Sequence, residues 1–149
     1  MPGNLLYPKL YANKVSVTAA AATASSAAFS VGNADCYEFV LNVTAATGTS
    51  PTMDVVVQTS FDGTNYIDLP LRYTQVTAAA VKYLVFKQGL GMNEVALEQA
   101  AADTGGTLAK NCIFNPALLK IKYTIGGTNP SLTFGLHVCE LPKGANAQY

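Results

Sequence analysis

The sequence predicts an all-β chain: an antiparallel β-sandwich, jelly-roll or immunoglobulin-like, with one short helix in a long loop and extended terminal arms. Three observations predict it. Long stretches alternate apolar and polar residues with a period of two, the mark of a strand with one buried face. Those stretches are rich in Val, Thr and aromatics and are separated by short polar turns, with no helix between them over most of the chain. Finally, "FVLNVTAATGTSPTMDVVV" has a cousin in "LLKIKYTIGGTNPSLTFGL". Gly48, Thr49 and Pro51 recur as Gly127, Thr128 and Pro130, an offset of 127 − 48 = 79 residues.

Residues 1–35 read as an N-terminal arm with the first edge strands. "NLLYPKLYAN" carries apolar anchors on an extended, proline-broken chain, "KVSVT" and "AAFSV" offer one or two strands, and "TAAAATASSAA" has little to build a core from. From 36 to 46, Tyr37, Phe39, Leu41 and Val43 share one phase, and Glu38, Asn42 and Thr44 the other. From 53 to 61, Met53, Val55, Val57 and Phe61 alternate with Asp54, Gln58 and Ser60. "TGTSP" between them is too short for a crossover, so a hairpin is expected, with Gly48 free to take positive φ and Pro51 presetting the next strand. Asp62-Gly63 marks a second hairpin, "LPLRYTQV" and "KYLVFK" supply weaker strands, and the second Gly-Thr-x-Pro marks a third hairpin between 119–125 and 132–138. About eight strands result.

One segment departs from this pattern. "MNEVALEQAAADTGG" reads as a helix of two to three turns, with Asn93 as N-cap, Glu94 in the first turn and Gly105-Gly106 as the stop. It lies in an excursion over 88–117, interrupting a sandwich domain over 36–141. A tail follows over 142–149.

Composition narrows the function. Charged residues make up 12% of 149, about half the ~25% usual in soluble domains, so the surface is poorly protected against association. The formal net charge is +0 and the single arginine is Arg72, which argues against a nucleic-acid partner. No apolar run is long enough for a membrane span, and the first residues do not read as a secretory signal. Cys36, Cys112 and Cys139 show no metal-finger spacing and read as thiols, the alternative being a Cys36–Cys139 bridge.

No residue set specifies an activity. His137 is the only histidine, so His-pair metal sites are excluded. It shares a strand face with Cys139, without a nucleophile motif around the two. Asp62 in "DGTN" could begin a calcium loop, but further oxygen ligands at regular spacing do not follow, and a hairpin turn accounts for it. The remaining acids form no recognised acid/base pair. The Asn42 sequon falls mid-strand. There is no Trp to serve as a sugar platform, and most Tyr and Phe fall on inward phases; Tyr7, Tyr11 and Tyr149 lie in the arms instead. No catalytic residue, metal, cofactor or small-molecule substrate is therefore expected. The expected contact residues are Leu5, Leu6, Tyr7, Leu10, Tyr11 and Tyr149, anchoring the arms to neighbouring subunits.

The combination "FVLNVTAATGTSPTMDVVVQTSFDGTNYIDL", "YTQVT" and "LKIKYTIGGTNPSLTFGLHV" resembles small virion structural proteins of tailed bacteriophages, over about residues 36–77 and 118–140. The 88–117 excursion is longer than that family's usual connection. The resemblance implies a head decoration (cement) protein, made in the host bacterial cytoplasm and sited on the capsid surface. Its partners would be the major capsid protein and copies of itself, most simply as a trimer on a capsid threefold position. The alternatives are a tail or neck protein of the same fold and a carbohydrate- or receptor-binding module.

Overall fold

The computed structural model describes residues 10–34, 36–87 and 114–141. This part is a six-stranded antiparallel sheet without a helix: β1 (Tyr11–Ala20), β2 (Ala24–Ser25), β3 (Cys36–Ser60), β4 (Tyr66–Arg72), β5 (Ala80–Lys87) and β6 (Leu119–Leu141). The helix expected around Asn93 falls at 88–113, outside the described residues, as do positions 1–9 and the tail.

β3 and β6 form the spine, and here the hairpin expectation is corrected. Neither Gly-Thr-x-Pro reverses its strand. β3 runs on through its copy for 25 residues and β6 through its own for 23. The two pair antiparallel from Cys36↔Leu141 to Thr59↔Leu119, and the copies face each other at Thr49↔Thr128. Each copy spends its left-handed residues, Gly48 and Ser50 in one and Gly127 and Asn129 in the other, on a bulge that re-aims the strand. Each bulge pairs with its twin across the ladder, so neither strand folds back on itself. Among the described residues, the eight segments expected from sequence are thus six strands, two of them double length.

The bulges divide the sheet into two halves. In the first, β5 and β1 flank the paired 36–47 and 131–141 segments. In the second, β4 and β2 flank the paired 52–60 and 119–126 segments. The two long strands are related by a pseudo-two-fold. Beyond the bulge, inward residues correspond at an offset of 79 (Met53 with Leu132, Val55 with Phe134, Val57 with Leu136). Before it the offset is 80 (Leu41 with Ile121, Phe39 with Leu119), and β3 takes up its extra residue at a register shift between Val43 and Ala45.

The expected alternation holds where it matters. Tyr37, Phe39, Leu41 and Val43 from one half, and Met53, Val55, Val57 and Ile121 from the other, join one buried cluster. Tyr123 meets Phe134 edge-on at 5.1 Å, and Phe114 packs on Tyr37 at 5.3 Å. Edge-to-face contact suits the ring quadrupoles and adds about 1 kcal/mol to simple burial. Tyr73 caps the cluster, its buried hydroxyl donating to the Phe39 carbonyl at 2.8 Å. Burial pushes that phenol well above its ordinary pKa, so it stays a donor.

One inward assignment fails. Phe61 is 77% exposed, because β3 ends at Ser60 and a five-residue connection, 61–65, carries the ring outward. Ser60, assigned to the polar phase, is buried because its hydroxyl organises that connection. It accepts from Gly63 N at 2.8 Å and donates to the Asn65 carbonyl at 2.6 Å.

Candidate functional site

The outer faces of the two halves carry different chemistry. On the second half, alternate residues of β3, β4 and β6 place Asp54, Asp68, Arg72, Lys120 and Lys122 on one surface. These are five of the chain's eighteen formally charged residues, gathered on one patch of a charge-poor molecule. A shallow depression of about 210 Å³ lies among Asp54, Val56, Asp68, Arg72, Lys122 and Thr124. Gln58 donates to Asp68 at 2.7 Å and Gln75 to Asp54 at 3.1 Å. The Lys120 ammonium sits 4.2 Å from the centre of the Tyr66 ring, a cation–π contact.

This arrangement lacks the geometry for paired-carboxylate chemistry. Asp68 is opposite Gln58, which is four residues along β3 from Asp54. At about 3.3 Å per residue, roughly 13 Å separates the two acids along the strand, beyond the ~5–10 Å over which two carboxylates share one bond. Among the described residues no group of three or more His, Cys, Asp or Glu could hold a metal ion.

The first half presents a nearly uncharged face. Val81, Tyr83 and Val85 of β5 lie beside Val40 and Asn42 of β3, then Gly135 and His137 of β6, then Asn13 and Ser16 of β1. Its charged side chains, among those described, are Glu38 and, at a β1 register shift, Lys14. His137 is partly exposed and faces Val40 and Asn13. Cys139 follows two residues along and is buried, whereas the His137 ring leans the other way along the strand, its Nε2 3.4 Å from where a Cβ on Gly135 would stand. Cys36 and Cys139 are both buried and keep their thiols, and Cys112 lies outside the described residues.

Of the expected contact residues, Leu5, Leu6, Tyr7 and Tyr149 lie outside the described residues. Leu10 is 74% exposed and Tyr11, at the head of β1 opposite Cys139, is 43% exposed. Sequence reasoning missed Phe61, Ile67 and Val81, all largely exposed. For Phe61 a signal existed, since Asp62-Gly63 follows it directly. For Ile67 and Val81 none did, because exposure there depends on which strands end the sheet.

Asp62 is a turn residue. Its Oδ1 accepts from Thr64 N at 2.9 Å and Asn65 N at 2.7 Å, and its Oδ2 from Asn65 Nδ2 at 2.7 Å. The Asn65 and Thr64 donors lower its pKa to about 2. Those bonds close the hairpin, as the Asp-Gly reading expected.

No family model matches this chain, and no curated protein matches it.

Proposed function

We propose that this chain is a non-enzymatic structural protein of a tailed-phage virion, a decoration or cement protein that binds the outer capsid surface and stabilises the head. In this reading the two half-sheets are the layers of a β-sandwich, and the terminal segments carrying Leu5, Leu6, Tyr7, Leu10, Tyr11 and Tyr149 grip neighbours. The observation that carries it is the exposed Leu10–Tyr11 pair where the N-terminal segment enters β1. Two large apolar side chains stand in water there, the last two of "NLLYPKLY", on a chain short of charge. Burial against the major capsid protein would remove that surface from water, and many copies would multiply a modest affinity per site into large shell stability.

Cryo-electron microscopy of virions tests the location: density on the outer head is the expected result, and density confined to the tail or neck overturns the decoration role. Deleting residues 1–9, which leaves β1 whole, should lower the temperature at which decorated heads release DNA. Unchanged head stability with normal occupancy would remove the arm from the account.

A further inference from the structure

We propose that a slot between β1 and β2 binds a small organic monocarboxylate with an apolar body. β1 pairs with 132–139 of β6 and β2 with 122–123, on opposite sides of the β6 bulge, and the slot stays open between them. Its volume is about 280 Å³, and Tyr123 of β6 lines it together with residues of β1 and β2. That is room for about nine waters at ~30 Å³ each, near the lower end of the ~300–1,000 Å³ of small-molecule sites.

Two polar side chains at the slot lack a counterpart among the described residues. Tyr123 is only 7% exposed. Its ring packs edge-on against Phe134, but among the described residues nothing donates to its hydroxyl or accepts from it. The other buried phenols differ: Tyr37 donates to the Gly32 carbonyl at 2.7 Å and Tyr73 to the Phe39 carbonyl at 2.8 Å. Burying a hydroxyl without a partner is unfavourable, so one that lines an open slot marks a place for a ligand oxygen. The second is Lys14. β1 advances from Asn13↔His137 to Val15↔Leu136, which makes Lys14 the extra residue of a bulge, a device that re-aims a side chain. Lys14 is half-buried and lines the slot, and no acidic side chain lines it beside the ammonium.

The rest of the lining narrows the ligand. Buried Val15 and partly buried Val17 give an apolar wall beside the Tyr123 ring. Ser16 Oγ accepts from Asn13 Nδ2 at 2.8 Å, which leaves its own hydrogen to donate. One ammonium and hydroxyl donors without an acid select an anion, and one cation balances one negative charge. A phosphate monoester carries about −1.5 to −2 near pH 7 and would leave charge uncompensated against the valines. A neutral amide would leave the ammonium unpaired. A carboxylate accepts from both Lys14 and Tyr123, in charge-assisted bonds, while a ring or branched chain lies on Val15 and Val17.

Isothermal titration calorimetry of the full chain with phenylacetate tests the site, with phenylacetamide and phenyl phosphate as the neutral and doubly charged counterparts. Saturable one-to-one binding of phenylacetate is expected, with each counterpart about tenfold weaker or worse. Lys14→Met and Tyr123→Phe should each weaken phenylacetate about tenfold, the loss of one hydrogen bond to a charged group. Because the Tyr123 hydroxyl has no partner within the described chain, Tyr123→Phe should keep or raise the urea midpoint of the ligand-free protein, which separates lost binding from lost fold. Four results overturn the proposal: no binding at about 10 mM phenylacetate, equal affinity for the amide, tighter binding of phenyl phosphate, or an affinity indifferent to both substitutions. A lower urea midpoint in Tyr123→Phe overturns it too, since the hydroxyl would then already be satisfied. The measurement uses isolated protein, so its failure is separate from failure to find the chain on phage heads.

Discussion

Replacing Gly48 with alanine probes the contact on which the two halves turn. Gly48 holds φ +110°, where an L side chain is strained by about 1–3 kcal/mol. A Cβ there would stand 2.5 Å from the Asn129 carbonyl oxygen and 2.9 Å from Pro130 Cα. Both are backbone atoms of the facing bulge, so no side chain can swing aside. Relief requires the Thr49–Thr128 pairing to part, at about 1 kcal/mol for each hydrogen bond lost. The total is about 3–5 kcal/mol, a large share of the ~5–15 kcal/mol that holds such a domain. In urea unfolding followed by far-ultraviolet circular dichroism, the midpoint should fall by about 2 M. Gly63→Ala is the control: φ is +80°, but the nearest atom to the added carbon is Leu118 Cδ1 at 4.0 Å. It carries the dihedral strain without the clash and should cost about 1–2 kcal/mol. A Cβ on Gly127 would stand 2.6 Å from Ser50 O and 3.0 Å from Pro51 Cα, so its alanine variant should match that of Gly48. The double variant should cost less than the sum, because both relieve their clash by separating the same segments. A Gly48→Ala cost no greater than that of Gly63→Ala, or strict additivity with Gly127→Ala, would refute the reasoning.

Three further outcomes follow from the core and the turns. Tyr73→Phe removes a buried donor from the Phe39 carbonyl and should cost about 1–2 kcal/mol in the same urea assay; an unchanged midpoint would mean the bond contributes nothing. Lys82→Met strips the Thr74 and Gln75 carbonyls of their ammonium donor, so a melting temperature lower by several degrees is expected, and a gain would contradict it. Asp62 is held at about 2 in the folded chain against 3.8 for an ordinary Asp, so its contribution is present above about pH 4 and disappears as the pH falls through about 2. Urea midpoints for wild type and Asp62→Asn should therefore differ at pH 5 and converge near pH 2; a gap that widens on acidification would reverse the sign of the linkage.

Local signals in this chain were legible and partner choice was not. The period of two assigned Tyr37, Phe39, Met53, Val55, Leu132 and Leu136 to the core, because side-chain alternation is a property of each strand alone. Asp62-Gly63 announced its hairpin for the same reason: its donors, Thr64 and Asn65, are sequence neighbours. Gly-Thr-x-Pro has equally local chemistry, and the left-handed glycine was anticipated. Whether such a glycine reverses a strand or kinks it depends on what lies across the ladder, and for Gly48 that is residues 128–130. The same gap in information misplaced Ser60 and Phe61 and hid the exposure of Ile67 and Val81. Sequence alternation does not reveal which strand will be last.

The repeat also explains why one chain carries two unlike surfaces. The pseudo-two-fold covers β3 and β6 and organises the inner rows, where symmetric bulges meet and equivalent apolar residues interlock. Their flanking partners are not related in sequence. β5 brings Val81, Tyr83 and Val85 to one half, whereas β4 brings Asp68 and Arg72 to the other. A symmetric spine with asymmetric flanks separates folding from recognition, since substitutions on the flanks' outward positions leave the bulge contacts untouched. The charged face stays favourably hydrated, and the uncharged face loses little when water leaves it. In the assembly proposed for this chain, association through the first half-sheet would leave the second facing solvent.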